Sequence, residues 1–180
     1  MPRWARTDAR RAGAGLGDVG ESAAVTSTPG PAFAHAYSAR VYYADTDFSG
    51  VVYYGRYLEF LERGRSDLLH AIGVRHRDLI DGRAEGRAGG EAGAEPLAWV
   101  IRRIAIDYRG SARIEDEIEV LTGVDEARGA RLAMVQRVKL GDRTILDASV
   151  EAALITLDGR PRRLPAPWLE RLSALPHTLS

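Results

Sequence analysis

The chain has 180 residues, a formal net charge of zero and 45% hydrophobic residues. That length suits one domain plus a tail or an insertion, and the balanced charge gives no global pull toward nucleic acid or an anionic membrane. The absence of cysteine excludes disulfides, thiolate metal sites and a cysteine nucleophile, and it fits a reducing compartment, the cytoplasm.

Residues 1–34 are rich in Ala, Arg, Gly, Ser, Thr and Pro and hold neither a helical nor a strand period. They read as a disordered tail, or as a start assigned too far upstream. The early arginines also suit a transit peptide, although Asp8, Asp18 and Glu21 interrupt the positive charge. No apolar stretch follows them, so no secretory signal is expected, and no apolar run in the chain reaches membrane-spanning length.

From Ala36 the texture changes. Tyr37 to Tyr43 is aromatic and β-branched enough for a first strand, and Asp45 to Gly50 has loop chemistry. From about Tyr53 to Ile72 apolar residues recur at helical spacing, at Tyr57, Leu58, Leu61, Leu68, Leu69 and Ile72, and Gly73 follows as a C-cap. Gly64 falls on the apolar side; it either lets the helix lie close to a sheet or is a tolerated weak spot. Arg75 to Asp81 suits a short second helix. Gly82 to Glu95, almost entirely Gly, Ala, Glu and Arg, reads as a flexible inserted loop.

After Pro96 the period becomes two. Val100 to Tyr108, Ile118 to Val124, Leu132 to Leu140 and Leu146 to Leu154 each alternate, with turn signals at Arg109-Gly110, Arg128-Gly129 and Gly141-Asp142. Four antiparallel strands in a meander are expected. Asp158-Gly159 and the late prolines are expected to end the regular structure, leaving a domain over 35–170 and a tail over 171–180. One long helix is available to cover the sheet, so the fold class is α+β: a five-stranded antiparallel sheet on one central helix.

Candidate chemistry concentrates around that helix. Taken alone, Asp47 is an N-cap or Asx-turn residue, the usual work of Asp before a helix. Asp45 suits turn geometry or a hydrogen bond that orients the loop. His35, His70, His76 and His177 are too scattered for a helical metal site. Ser49 and Ser66 have no histidine in a credible sequence context, and no Gly-x-Ser-x-Gly elbow is present, which argues against a serine hydrolase.

The run Arg40-Val41-Tyr42-Tyr43-Ala44-Asp45-Thr46-Asp47-Phe48-Ser49-Gly50-Val51-Val52-Tyr53-Tyr54 resembles the signature of the 4-hydroxybenzoyl-CoA thioesterase family. Its continuation, Tyr57-Leu58-Glu59-Phe60-Leu61-Glu62-Arg63-Gly64-Arg65, is similar to the YbgC-like branch, acyl-CoA thioesterases often associated with the Tol-Pal system. Asp107-Tyr108 and Ala127-Arg128-Gly129-Ala130 fit as well. At Tyr54, where the YbgC-like branch usually carries His, the chain resembles the 4-hydroxybenzoyl-CoA enzymes instead. The resemblance implies a hotdog fold, a sheet wrapped around the long helix. It also implies a homodimer, often paired again into a homotetramer, with active sites at the subunit interface.

The implied reaction is hydrolysis of a small or medium acyl-CoA, aliphatic or aromatic, to free acid and CoA, with no cofactor beyond the coenzyme A of the substrate. The resemblance assigns catalysis to Asp47, as general base or as direct nucleophile. The backbone N–H of Tyr54, at the helix start, suits the oxyanion. Gly50, Val51, Val52 and Tyr53 are the expected substrate-binding residues, and Arg128, with Arg131 and Arg102, is a candidate for the CoA phosphates. Related hotdog enzymes carry the carboxylate on the helix, where Glu59 and Glu62 lie; both also suit plain ion pairs with Arg63 or Arg65. The alternative function is a non-catalytic or weakly catalytic module that binds acyl-CoA or acyl carrier protein, or partners a lipid or envelope complex. A hotdog dehydratase is a third reading, weakened because no histidine lies between His35 and His70.

Overall fold

A computed structural model describes residues 33–83 and 95–176. The expected tail up to residue 32, most of the 82–95 loop and residues 177–180 lie outside the described residues.

The elements follow in the order β1 (His35–Arg40), a 3-10 turn (Tyr43–Asp45), α1 (Arg56–Ala71), α2 (His76–Ile80), β2 (Leu97–Tyr108), β3 (Glu117–Arg128), β4 (Arg131–Leu140), β5 (Arg143–Thr156) and α3 (Ala166–Ser173). The five strands form one antiparallel sheet in the order β1-β3-β4-β5-β2. With α1 packed on it, this is the expected α+β hotdog fold.

Three expectations are corrected. The first strand stops at Arg40, because Val41 turns inward to full burial while Tyr42 and Tyr43 enter the 3-10 turn. The meander holds only for β3, β4 and β5. Arg109-Gly110 opens a crossover rather than a hairpin, so β2 pairs with β5 and β3 pairs with β1. Alternation tells a strand which face is apolar and carries no information about its neighbour. Finally, regular structure does not end at Asp158-Gly159. α3 buries Trp168 and Leu172 in the core cluster around Leu68, Leu97 and Leu154, so packed structure runs past residue 170 into the expected tail.

α1 ends in a Schellman motif. Val74 N–H donates to Leu69 O (2.8 Å) and Gly73 N–H to His70 O (2.9 Å), with Gly73 at φ 80°. That left-handed residue reverses the chain and drops Val74 into the core.

The centre of α1 lies against β3 and β4. A Cβ built on Gly64 would stand 2.8 Å from Val120 Cγ1 and 3.2 Å from Thr122 Oγ1. Beside it, Gln136 Nε2 donates to Leu61 O (2.9 Å) and to Thr122 Oγ1 (3.0 Å), and Arg65 Nη1 donates to Gln136 Oε1 (2.8 Å). Gly64 is therefore a close-approach position. As a mere weak spot it would be improved by Gly64→Ala, which gains up to about 1 kcal/mol of helix propensity. Overpacking predicts the opposite, a loss of roughly 1–3 kcal/mol. The sign of the change in melting temperature decides between them, and we expect a fall.

Candidate active site

The loop before α1 is a tight hairpin. Thr46 and Val52 form an isolated bridge, Asp47 N–H donates to Val51 O (3.0 Å), and Gly50 N–H donates to Asp47 O (3.0 Å). Gly50 takes φ 75°, which L side chains rarely adopt, so the turn closes there.

The hairpin is pinned from the far side of the chain. Val52 N–H donates to Ala112 O (2.9 Å), and Val51 bridges to Arg113. Ala112 N–H in turn donates to the buried Tyr57 hydroxyl (2.9 Å). The crossover between β2 and β3 thus forms the loop's floor.

Asp45 performs the orienting work expected of it. Its Oδ2 accepts from Tyr42 N–H (2.8 Å), its Oδ1 lies 3.3 Å from Arg56 Nε, and its carbonyl accepts from Tyr53 N–H (3.0 Å). Arg56, at the first position of α1, also donates to Ala44 O (3.0 Å) and to Glu59. This clamp ties the 3-10 turn to the helix start.

Asp47 is partly exposed, and its Oδ1 accepts from Ser49 N–H (2.8 Å) and Ser49 Oγ. Those two bonds, the hydroxyl's first, hold its carboxyl below the ordinary Asp value. The Asx turn and the proposed base are therefore compatible. One oxygen fixes the loop, and Oδ2 has no hydrogen-bond partner among the described residues.

Tyr54 N–H, just ahead of α1, likewise donates to no group among the described residues. It sits at the positive end of a helix of 16 residues. Tyr108 Oη donates to Tyr54 O (3.0 Å) and holds the next peptide, between Tyr54 and Gly55. Tyr53, Tyr54, Tyr57 and Tyr108 form a continuous ring cluster with centroid distances of 4.5 to 6.5 Å. An ionised carboxylate, a free N–H and an aromatic wall can together activate water and hold a developing oxyanion.

Asp47, Gly50, Val51, Val52, Tyr53 and Tyr54 are thus brought together, with Val52 buried beneath and Tyr53 exposed. Arg128 is not. It lies at the far end of β3 from Glu117, roughly 35 Å along the strand from the loop of its own chain. Arg102 and Arg131 are held by Glu151 (3.1 and 3.2 Å).

Two helix expectations are corrected. Glu59 pairs with Arg56, and Glu62 accepts from Ser66 Oγ (2.6 Å), rather than either pairing with Arg63 or Arg65. Ser66 also has a histidine after all: His76 Nε2 stands 3.3 Å from its hydroxyl. The reversal at Gly73 makes that contact, which no sequence spacing announces.

The family model of the thioesterase-like superfamily matches residues 41–175. The acyl-CoA thioesterase YbgC of Haemophilus influenzae is 34% identical over 121 residues, covering 67% of this chain and 80% of that protein. The acyl-CoA thioester hydrolase YbgC of Escherichia coli is 33% identical over 129 residues, covering 70% and 86%. Among solved structures, a probable thioesterase from Bartonella henselae is 43% identical with a TM-score of 0.67, covering 74% of this chain and all of that one. A 1,4-dihydroxy-2-naphthoyl-CoA thioesterase from Synechocystis, 22% identical with a TM-score of 0.66 and covering 79% and 98%, shares the fold.

The Asp47 carboxyl should titrate below 3.8, the ordinary Asp value, in a carboxyl NMR titration. Ser49→Ala removes the larger of the two causes and should move the midpoint upward. An unmoved midpoint would show that the hydroxyl does not stabilise the carboxylate.

Proposed function

The chain belongs to the thioesterase-like superfamily, and on that premise we propose that it hydrolyses small or medium acyl-CoA thioesters to free acid and CoA. The observation that supports the reading is that one turn leading into α1 carries both an Asp47 carboxylate oxygen and a Tyr54 N–H with no hydrogen-bond partner among the described residues. The thioester carbonyl oxygen accepts from that N–H, whose dipole favours the negative charge of the tetrahedral intermediate. Asp47 takes a proton from water, or attacks the carbonyl itself to give a mixed anhydride that water then opens.

We place the enzyme in the cytoplasm, in keeping with a chain that has no cysteine. A homodimer is its minimum unit. The outer strand β2, 12 residues long, leaves one backbone edge unpaired within the chain and carries the exposed Val100 and Ile101. A homotetramer, an acyl carrier protein and an envelope complex of Tol-Pal type extend the same reading. Light scattering at low micromolar concentration should give a dimer; a fully active monomer would remove this part.

Asp47→Asn tests the assignment. Asn preserves the turn, because its side-chain oxygen accepts from Ser49 as well as Asp does. With the charge gone, kcat for CoA release should fall by about 10²–10⁴-fold, with the melting temperature and acyl-CoA binding retained. Asp45→Asn should behave differently, losing stability through the Arg56 clamp. Near-normal turnover in a folded Asp47→Asn protein would refute the assignment. Failure of the wild-type protein to release CoA from any acyl-CoA would instead favour the binding module.

A further inference from the structure

A half-enclosed cavity of about 120 Å³ opens between α1, α2, β2 and the ends of β4 and β5. Leu69, Trp99, Ile101, Leu132, Met134 and Ala152 make its walls largely apolar. One buried charge lies among them. Arg65 lines the cavity and is only 8% exposed. Its Nη1 donates to the neutral Gln136 (2.8 Å), and its guanidinium has no other hydrogen bond and no ion pair among the described residues. Glu62, about one turn earlier on α1, also lines the cavity, but it accepts from the Ser66 hydroxyl (2.6 Å) and forms no salt bridge with Arg65. Burial pulls the Arg65 guanidinium below its ordinary pKa, and Glu62 opposes that shift only through space.

A guanidinium offers five N–H donors, and one neutral acceptor does not offset the desolvation of a buried cation. The arrangement is open to an anion. A planar fork of N–H groups set in apolar walls recognises a carboxylate through two parallel hydrogen bonds. Size limits the rest of the ligand: an apolar cavity of about 150 Å³ takes a benzene ring, so this one suits a body of roughly four to six carbons. The cavity is separate from the Asp47 loop of its own chain. Arg65 follows Arg56 by nine residues on α1, roughly 13 Å along the axis from the helix start.

We infer that this cavity is a binding site for a small carboxylic acid, whose carboxylate pairs with Arg65 and whose aliphatic or aromatic body lies against Trp99 and Met134. The acid released by the proposed reaction belongs to that class, yet binding is read without turnover, so the two readings fail separately. Occupancy also acts on the fold. Arg65 is joined through Gln136 to Leu61 and Thr122, so an anion on Arg65 reinforces the contact that holds α1 against the sheet, and a ligand that binds only the folded chain stabilises it.

The test titrates the full chain with benzoate and butyrate at constant ionic strength, read by melting temperature and by tryptophan fluorescence. Both acids should bind saturably and raise the melting temperature. Benzamide and butyramide keep the shape without the charge and should bind about tenfold more weakly or worse. Arg65→Gln should weaken benzoate by about tenfold or more, with no loss of melting temperature in the unliganded protein, because a buried cation has been removed. Should Arg65→Gln not fold, Arg65→Lys, which keeps the charge and loses the fork, should weaken benzoate several-fold. Amides that bind as well as the acids, chloride that raises the melting temperature equally, or unchanged benzoate affinity in a folded Arg65 variant would each overturn the site. Non-hydrolysable thioether analogues of glutaryl-CoA and butyryl-CoA identify the source of the carboxylate. Displacement of benzoate by the glutaryl analogue alone assigns it to the acyl group of a CoA ester, and displacement by neither assigns it to a free acid. Displacement by both would show that the cavity takes any acyl tail, which overturns the recognition of a carboxylate.

Discussion

The approach of α1 to the sheet at Gly64 is the constraint on which the rest of the molecule depends. With no side chain at that point, the helix axis comes close enough for Gln136 to reach the Leu61 carbonyl from β4. Gln136 donates to Leu61 and Thr122 and accepts from Arg65, so a helix carbonyl, a strand hydroxyl and a cation are joined at one buried node. Such a node is selective as well as cohesive: a slip of the helix along the sheet would strand several polar groups in an apolar interior. It therefore fixes the position of the α1 N-terminus, and through it the place of the Tyr54 N–H.

The active loop obeys a second economy. Every carboxylate near it has a distinct task set by its surroundings. Asp45 is spent on structure, with both oxygens and its carbonyl engaged. Glu59 is spent on Arg56. Of these three, Asp47 alone combines hydrogen bonds that favour its ionised form with an oxygen that has no hydrogen-bond partner among the described residues. Proximity to the helix start does not distinguish these residues; the count of committed lone pairs does.

Much of this was legible in the chain, for identifiable reasons. The period-two segments after Pro96 gave the four strands because each has one face in the core. The helical spacing from Tyr57 to Ile72 gave α1, and Gly73 its end. Strand neighbours were not legible, since β2 and β3 are separated by a crossover that looks locally like any turn. Nor was α3, whose short apolar pattern follows prolines that suggested an ending. At the candidate site, the motif pointed to Asp47 and Tyr54, whereas Ala112, Arg113 and His76 enter through chain reversals that leave no mark on spacing. Arg128, a basic turn residue read as a phosphate ligand, lies a strand's length from the loop of its own chain, a separation that its spacing did not announce.

The pinning of the Val51–Val52 segment by Ala112 and Arg113 has a consequence for how the molecule is built. These partners are about sixty residues apart in sequence, so a long stretch of chain must find its place before the loop has a floor. Contacts of that range cost loop-closure entropy before they are rewarded. Helix α1 and the 46–52 hairpin both close on local bonds, but the attachment of the hairpin to Ala112 and Arg113 does not. A defect in the crossover therefore reaches the loop directly, although the two lie far apart in the chain.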